Sequence, residues 1–195
     1  MRKLIAALTV ASAFAVAPAA HAADEAFLRI DGLQGDAVIG NSKSYIAIKN
    51  FSWGAEHKAT IGSASGGAGA EKAAFQELSI DKAVDASSPA LFQRMATGAP
   101  IQSMELVVRK AGATSPIHLR YHFQMAFITA TETSGGTGAE GTTETIKFAF
   151  GAASQSFQRQ TPTGALSGES LFGGWNAIRN MGVPAYPAFG TPAAL

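Results

Sequence analysis

The chain has 195 residues, 47% of them hydrophobic and only 15% charged, a balance that excludes a long disordered chain, which is charge-rich and poor in apolar side chains. The first 22 residues hold Arg2 and Lys3 and no acid, so the remaining 173 carry 13 basic against 14 acidic residues; no cationic surplus is left for a nucleic-acid surface. Cysteine is absent, which excludes disulfides, thiolate catalysis and cysteine-ligated zinc.

In chain order, the first element is a targeting segment. Arg2 and Lys3 precede thirteen residues, 4–16, of which only Thr9 and Ser12 are polar, followed by Pro18 and by small residues at Ala20 and Ala22 around His21. That order is a secretory signal peptide, and the run is shorter than the about 20 residues that span a bilayer as helix. The expectation is cleavage after Ala22 and a secreted mature chain from Ala23, with the periplasm as the alternative location. The sequence offers no second long apolar run, so no stable membrane insertion is expected.

The mature chain is long enough to bury one core of its own. Residues 27–33 read as a first strand ended by Asp31-Gly32. Residues 45–53 place Tyr45, Phe51 and Trp53 on one parity and Ile46 and Ile48 on the other, a strand covered on both faces for part of its length. A Gly/Ala/Ser loop follows at 61–71, and strand character resumes at 74–80. One short helix is signalled by Ser88 as cap, Pro89 at the first helical position, Leu91, Phe92 and Met95 on one face, and Gly98 with Pro100 at the end. The second half alternates as strands at 103–109, 118–131 and 143–150, the middle one with Leu119, Tyr121, Phe123, Met125 and Phe127 together, and a Gly-rich turn at 134–141. Beyond Pro162 the pattern fades, apart from 175–179, and 181–195 reads as an extended Pro/Ala-rich tail. Strands separated by turns, with one short helix, predict an antiparallel barrel or sandwich.

Few residues suggest chemistry. His118 and His122 lie four apart, a ligand spacing on a helix, but in a strand they stand about 13 Å apart at 3.3 Å per residue and cannot share a zinc. The Gly62 to Gly69 loop lacks the Gly-Lys-Ser/Thr ending of a phosphate loop, and no serine sits in a Gly-x-Ser-x-Gly elbow. Glu77, Asp81 and Asp85 show no acid–base pairing, and Asp85 reads as a cap of the following turn. Trp53 and Trp175 read as core or interface positions. No catalytic residue, metal site or cofactor is expected; a role for His57, His118 or His122 in catalysis would need substrate turnover.

Taken in order, several segments resemble the Hcp family of type VI secretion. They are FLRIDGLQGDA at 27–37, Phe51-Ser52-Trp53-Gly54, GAGAEKAAFQELSI at 67–80, Asp85 with Ser88-Pro89-Ala90-Leu91 and Gly98, Leu106-Val107-Val108-Arg109-Lys110-Ala111-Gly112, and Gly174-Trp175-Asn176 with Asn180. The resemblance covers about 26–180 and implies a domain at 23–180: mainly β, a compact antiparallel β-barrel of two packed sheets with one short α-helix on its side. It implies a non-enzymatic homo-hexameric ring, rings stacked into the secreted tube, effectors in the lumen, and a sheath and a spike protein as partners. It also implies ring and stacking contacts at Gly62, Ser63, Ser65, Gly66, Gly67 and Gly69, and structural roles for Trp53, Asp85, Ser88, Pro89 and Trp175. Tube builders of the family usually have no signal peptide, so a ring-forming or binding module in the periplasm or medium, outside the contractile machine, is the alternative.

Overall fold

The computed structural model describes residues 23–40, 42–60, 69–70, 72–112, 114–136 and 141–189. The targeting segment 1–22, the loop residues Gly62, Ser63, Ser65, Gly66 and Gly67, and the tail end 190–195 lie outside the described residues. The strands are β1 (Asp24–Ile30), β2 (Ala37–Ile39), β3 (Ser42–Ile48), β4 (Asn50–Ser52), β5 (Ala55–Glu56), β6 (Ala59–Thr60), β7 (Gly69–Ala70), β8 (Ala74–Phe75) and β9 (Leu78–Ala83). The helix α1 (Ser88–Thr97) follows, then β10 (Ile101–Lys110), β11 (Ile117–Ser134), β12 (Thr143–Gln160), β13 (Leu166–Asn176) and β14 (Met181–Gly182).

All pairings are antiparallel, and the main sheet runs β14-β13-β12-β11-β10-β1-β3-β2, with β9 pairing both β12 and β4. Closure comes from one continuous stretch of chain. β3 pairs β1, and after Lys49, whose N–H donates to the Asp81 carbonyl at 2.8 Å, the chain continues as β4 on β9. Because 45–53 pairs β1 with its first half and β9 with its second, its apolar residues occupy both parities: Ile46 and Ile48 in the first half, Phe51 and Trp53 in the second, all packed in or on the main core. The core interior holds Leu28, Ile30, Leu78, Ile80, Met104, Leu106, Phe123, Ile146 and Phe148, alternate residues of five strands, as a period of two requires. α1 closes one side with Leu91, and Gly98, at φ 63°, ends it by turning left-handed.

Four details depart from the sequence expectations. Phe92 is exposed, so the helix buries Leu91 with Met95 packed alongside rather than all three. Ser87 is the N-cap and makes no side-chain cap bond, while Ser88 is already helical. In β11 the alternation breaks at Met125, whose φ is 54°: Leu119, Tyr121 and Phe123 face the core, but beyond the break Ala126 and Ile128 do, leaving Phe127 46% exposed. Finally, β12 runs on to Gln160 and β13 occupies Leu166–Asn176, where the pattern had faded. These segments are small, polar or Gly-rich because they form a largely exposed sheet extension, which removes the apolar period.

Candidate functional site

Three constellations stand out from the framework. The first is a buried ionic node at the start of α1. Lys82 and Glu144 are directly opposed across β9 and β12 and both lie on the parity that otherwise carries Leu78, Ile80, Ile146 and Phe148. The Lys82 side chain is fully buried; its ammonium donates to Glu144, to Ser88 Oγ at 3.1 Å, and pairs Asp85 Oδ1 at 2.8 Å. Ser88 Oγ–H in turn donates to Glu144, and Ser88 Oγ accepts the Asp85 N–H at 3.0 Å. Asp85 also accepts the Ser87 N–H at 2.9 Å. Burial pushes the Asp85 carboxyl up, but hydrogen bonds from Lys82 and Ser87 outweigh it and hold the carboxyl below its ordinary value. Pro89 stands exposed in the first helical turn. Asp85, Ser88 and Pro89 are thus brought together at one joint between helix and barrel. Sequence reading missed Lys82 and Glu144, although a charged residue on a core parity is a visible signal.

The second is aromatic. Trp53 meets Tyr121, Phe123 and Phe150 edge-on, at centroid distances of 5.5, 5.4 and 6.1 Å, and a groove lined by Trp53, Phe75, Ser154, Gly174 and Trp175 joins it to the β13 edge. The structure therefore brings Trp53 and Trp175 to one groove although they are far apart in sequence. Beyond it lie exposed apolar side chains on the sheet extension: Phe157 faces Leu171 across β12 and β13, and Ile178 and Met181 follow.

The third is the face of the sheet opposite the core. Ser103, Glu105, Val107 and Arg109 alternate with the core residues of β10 and are themselves buried. His122 Nε2 and Ser103 Oγ are 2.7 Å apart, Arg120 donates to Glu105 at 3.1 Å, and Arg109 to Glu25 at 3.1 Å. Burial pushes the His122 imidazole below its usual value, against the pull of Glu105, and burial also lowers His118. Both histidines project from a strand, and among the described residues no group of three His, Asp or Glu side chains could share a metal ion. Neither Ser103 nor His122 is accessible to a substrate.

Gly69, one of the residues given a contact role, lies in β7, which pairs only β6. With β5 and β8 this forms a two-stranded ribbon leading away from β4 and β9, with 61–68 between its strands. No helix of the described residues is long and apolar enough to cross a membrane.

Comparison with known proteins decides the family. Residues 27–157 match the family described as type VI secretion system effector, Hcp. The chain belongs to the Hcp family. A protein named Protein hcp1 from Pseudomonas aeruginosa is 28% identical over 111 residues, 56% of this chain and 68% of that protein. Among solved structures, Hcp1 from Salmonella typhimurium superposes with a TM-score of 0.67 at 26% identity, covering 83% of this chain and 99% of that one. A type six secretion system protein superposes with a TM-score of 0.75 at 24% identity, covering 83% of this chain and all of the other. The mainly β architecture with one short helix read from the sequence is the architecture of these Hcp structures.

Proposed function

We propose that this Hcp chain is a non-enzymatic structural protein of type VI secretion, whose six copies close into a ring and whose rings stack into the secreted tube with room for effectors in the lumen. Family membership supports the system; the observation that carries self-assembly is the ribbon of β5–β8. An isolated two-stranded ribbon is marginally stable in water, and here β6 and β7 pair with nothing else among the described strands. A second copy packing on it supplies what the single chain lacks, which gives Gly62, Ser63, Ser65, Gly66, Gly67 and Gly69 their contact role. The outer edges of β2 and β14 are free of strand partners among the described residues, and a closing ring joins two different patches of this kind on successive copies. Sheath and spike proteins are the external partners of such a tube.

The N-terminal pattern favours a second reading, in which cleavage after Ala22 delivers a ring-forming module to the periplasm or medium without the contractile machine. N-terminal sequencing from cells with and without an intact sheath separates the two. The tube reading requires loss from the medium when the sheath is removed; a periplasmic Ala23 terminus independent of the sheath establishes the module. Sedimentation of residues 23–195 tests the ring itself.

A further inference from the structure

The tail is not a free extension. On the sheet face opposite the core, one residue from each of six neighbouring strands forms a row across the sheet. Tyr45 of β3, Arg29 of β1, Glu105 of β10, His122 of β11, Ser154 of β12 and Gly174 of β13 are each directly opposed to the next. Residues 183–189 lie along this row. Where the β13–β14 pairing ends, the Val183 N–H donates to the Gly174 carbonyl at 3.0 Å. The Tyr186 ring stands 5.7 Å from His122, and its hydroxyl donates to Glu105 at 3.1 Å. The Arg29 guanidinium sits 3.9 Å from the Phe189 ring centre and 5.9 Å from that of Tyr45.

The spacing of the segment fits the spacing of the strands. Val183, Tyr186 and Phe189 are half-buried and three residues apart, while Pro184, Ala185 and Ala188 between them are exposed. Pro184 and Pro187 fix their own φ at an extended value. A proline-rich extended chain advances about 3.1 Å per residue, hence about 9.3 Å per three residues, and two strand gaps at about 4.8 Å make about 9.6 Å. Each step of three residues therefore carries the chain over two strands. Val183 sits at β13, Tyr186 at β11 beside β10, and Phe189 at β1.

Each of the three side chains also matches what lies beneath it. Under Val183 is Gly174, where a Cβ would stand 2.7 Å from Ser154 Cβ and 3.1 Å from Val183 Cβ, so the glycine makes room for the valine. Under Tyr186 are the buried Glu105 and His122. Glu105 takes one hydrogen bond from Arg120 at 3.1 Å, and the Tyr186 O–H adds a donor from above, which is what a buried carboxylate requires. Under Phe189 is the Arg29 cation, which the face of an aromatic ring attracts. The order apolar, hydroxyl-bearing, aromatic is thus the order in which the row presents a gap, an acid and a cation. The family match spans 27–157, so five of the six row positions lie within the shared body and the segment lies beyond it.

We propose that the row is a recognition groove for a proline-rich segment with an anchor at every third residue, and that its occupant is the chain's own residues 183–189, a clasp that ties β13 to β1 and closes this face of the subunit to other partners. The clasp is independent of the ring reading above. Its test uses residues 23–195 with two neighbouring residues swapped, Ala185→Tyr together with Tyr186→Ala. The swap keeps length and composition but moves the central ring one residue, about 3 Å, along the row. NMR follows amide exchange of the Val183 N–H and titration of the His122 imidazole. In the unmodified chain, Overhauser contacts should join Tyr186 to His122 and Phe189 to Arg29. The swap should speed Val183 exchange about tenfold, through loss of the hydrogen bond to a charged carboxylate. It should also move the His122 midpoint up toward its ordinary 6.5, because burial is what lowers it. Tyr186→Phe keeps the ring over His122, so it should leave that midpoint close to the parent's and speed Val183 exchange less. Either readout left unchanged by the swap overturns recognition by register, since a segment merely resting on the sheet tolerates a moved ring. Absence of either Overhauser contact in the unmodified chain overturns the clasp without any variant, and so decides the matter should the swapped chain fail to fold.

Discussion

Replacing Lys82 by Met probes the ionic node that fastens α1 to the barrel. The methionine keeps much of the lysine stem's volume but removes the ammonium, leaving the Glu144 side chain, 8% exposed, with Ser88 as its remaining donor and Asp85, 17% exposed, with Ser87. Breaking a buried pair by removing one partner costs about 3–5 kcal/mol, and the surviving Ser88 bond returns about 1. A loss of about 3 kcal/mol is therefore expected. With a urea slope of about 2 kcal/mol per molar, the unfolding midpoint falls by ~1.5 M, measured at one fixed protein concentration so that assembly does not contribute. Adding Glu144→Leu to Lys82→Met removes the stranded charge and should recover at least half of the loss, since apolar replacement of a whole buried pair is close to neutral. A single-variant loss under about 1 kcal/mol, or a double variant worse than the single, would show that the node does not behave as a buried, compensated charge.

Other perturbations test the remaining features. Asp85 has a folded pKa below its ordinary 3.8; its contribution is present above that value and lost as pH falls through the folded one, so Asp85→Asn should flatten the acid limb of the stability curve below about pH 4. His122 is held neutral by burial, with a folded pKa below 6.5; the unfolded chain takes the proton first, so stability should fall as pH drops below 6.5 and level off beneath the folded pKa, and His122→Gln should remove that slope. Trp53→Ala opens the aromatic cluster around Tyr121, Phe123 and Phe150 and should cost about 3 kcal/mol in urea unfolding, with Trp53→Phe costing less. Gly35→Ala puts a Cβ 2.2 Å from the Tyr45 carbonyl oxygen; overpacking of about 2 kcal/mol should lower Tm by roughly 5 °C.

The strands that face a single core were legible because alternation reports burial on one side. Residues 103–109 and 143–150 carried that signal, and β10 and the first half of β12 stand there. Alternation fails where neither face is buried or where the chain changes its pairing partner. β13 shows mostly exposed side chains, so its pattern carried no period; 45–53 switches its pairing from β1 to β9 at Lys49; and Met125 inverts the parity of β11 by a left-handed φ that an ordinary methionine in an ordinary-looking strand does not announce. Of the groups brought together, Trp53, Asp85, Ser88 and Trp175 were visible through the family resemblance. Lys82 and Glu144 showed only as charged residues on core parities, which does not say that they pair, and Tyr186 and Phe189 lay in a tail whose prolines suggested only an extended chain. Their partners Glu105, His122 and Arg29 come from strands distant in sequence, and only the folded sheet sets those pairs side by side.

The ring proposed for this Hcp chain requires a subunit that closes on copies of itself. Sedimentation velocity of purified residues 23–195 over a wide concentration range, joined to electron microscopy of the fastest species, tests it most directly. A ring subunit should give a discrete species of six protomers that appears in micrographs as closed rings. A single species of protomer mass up to the highest concentration, or open-ended aggregates without a defined stoichiometry, would contradict it.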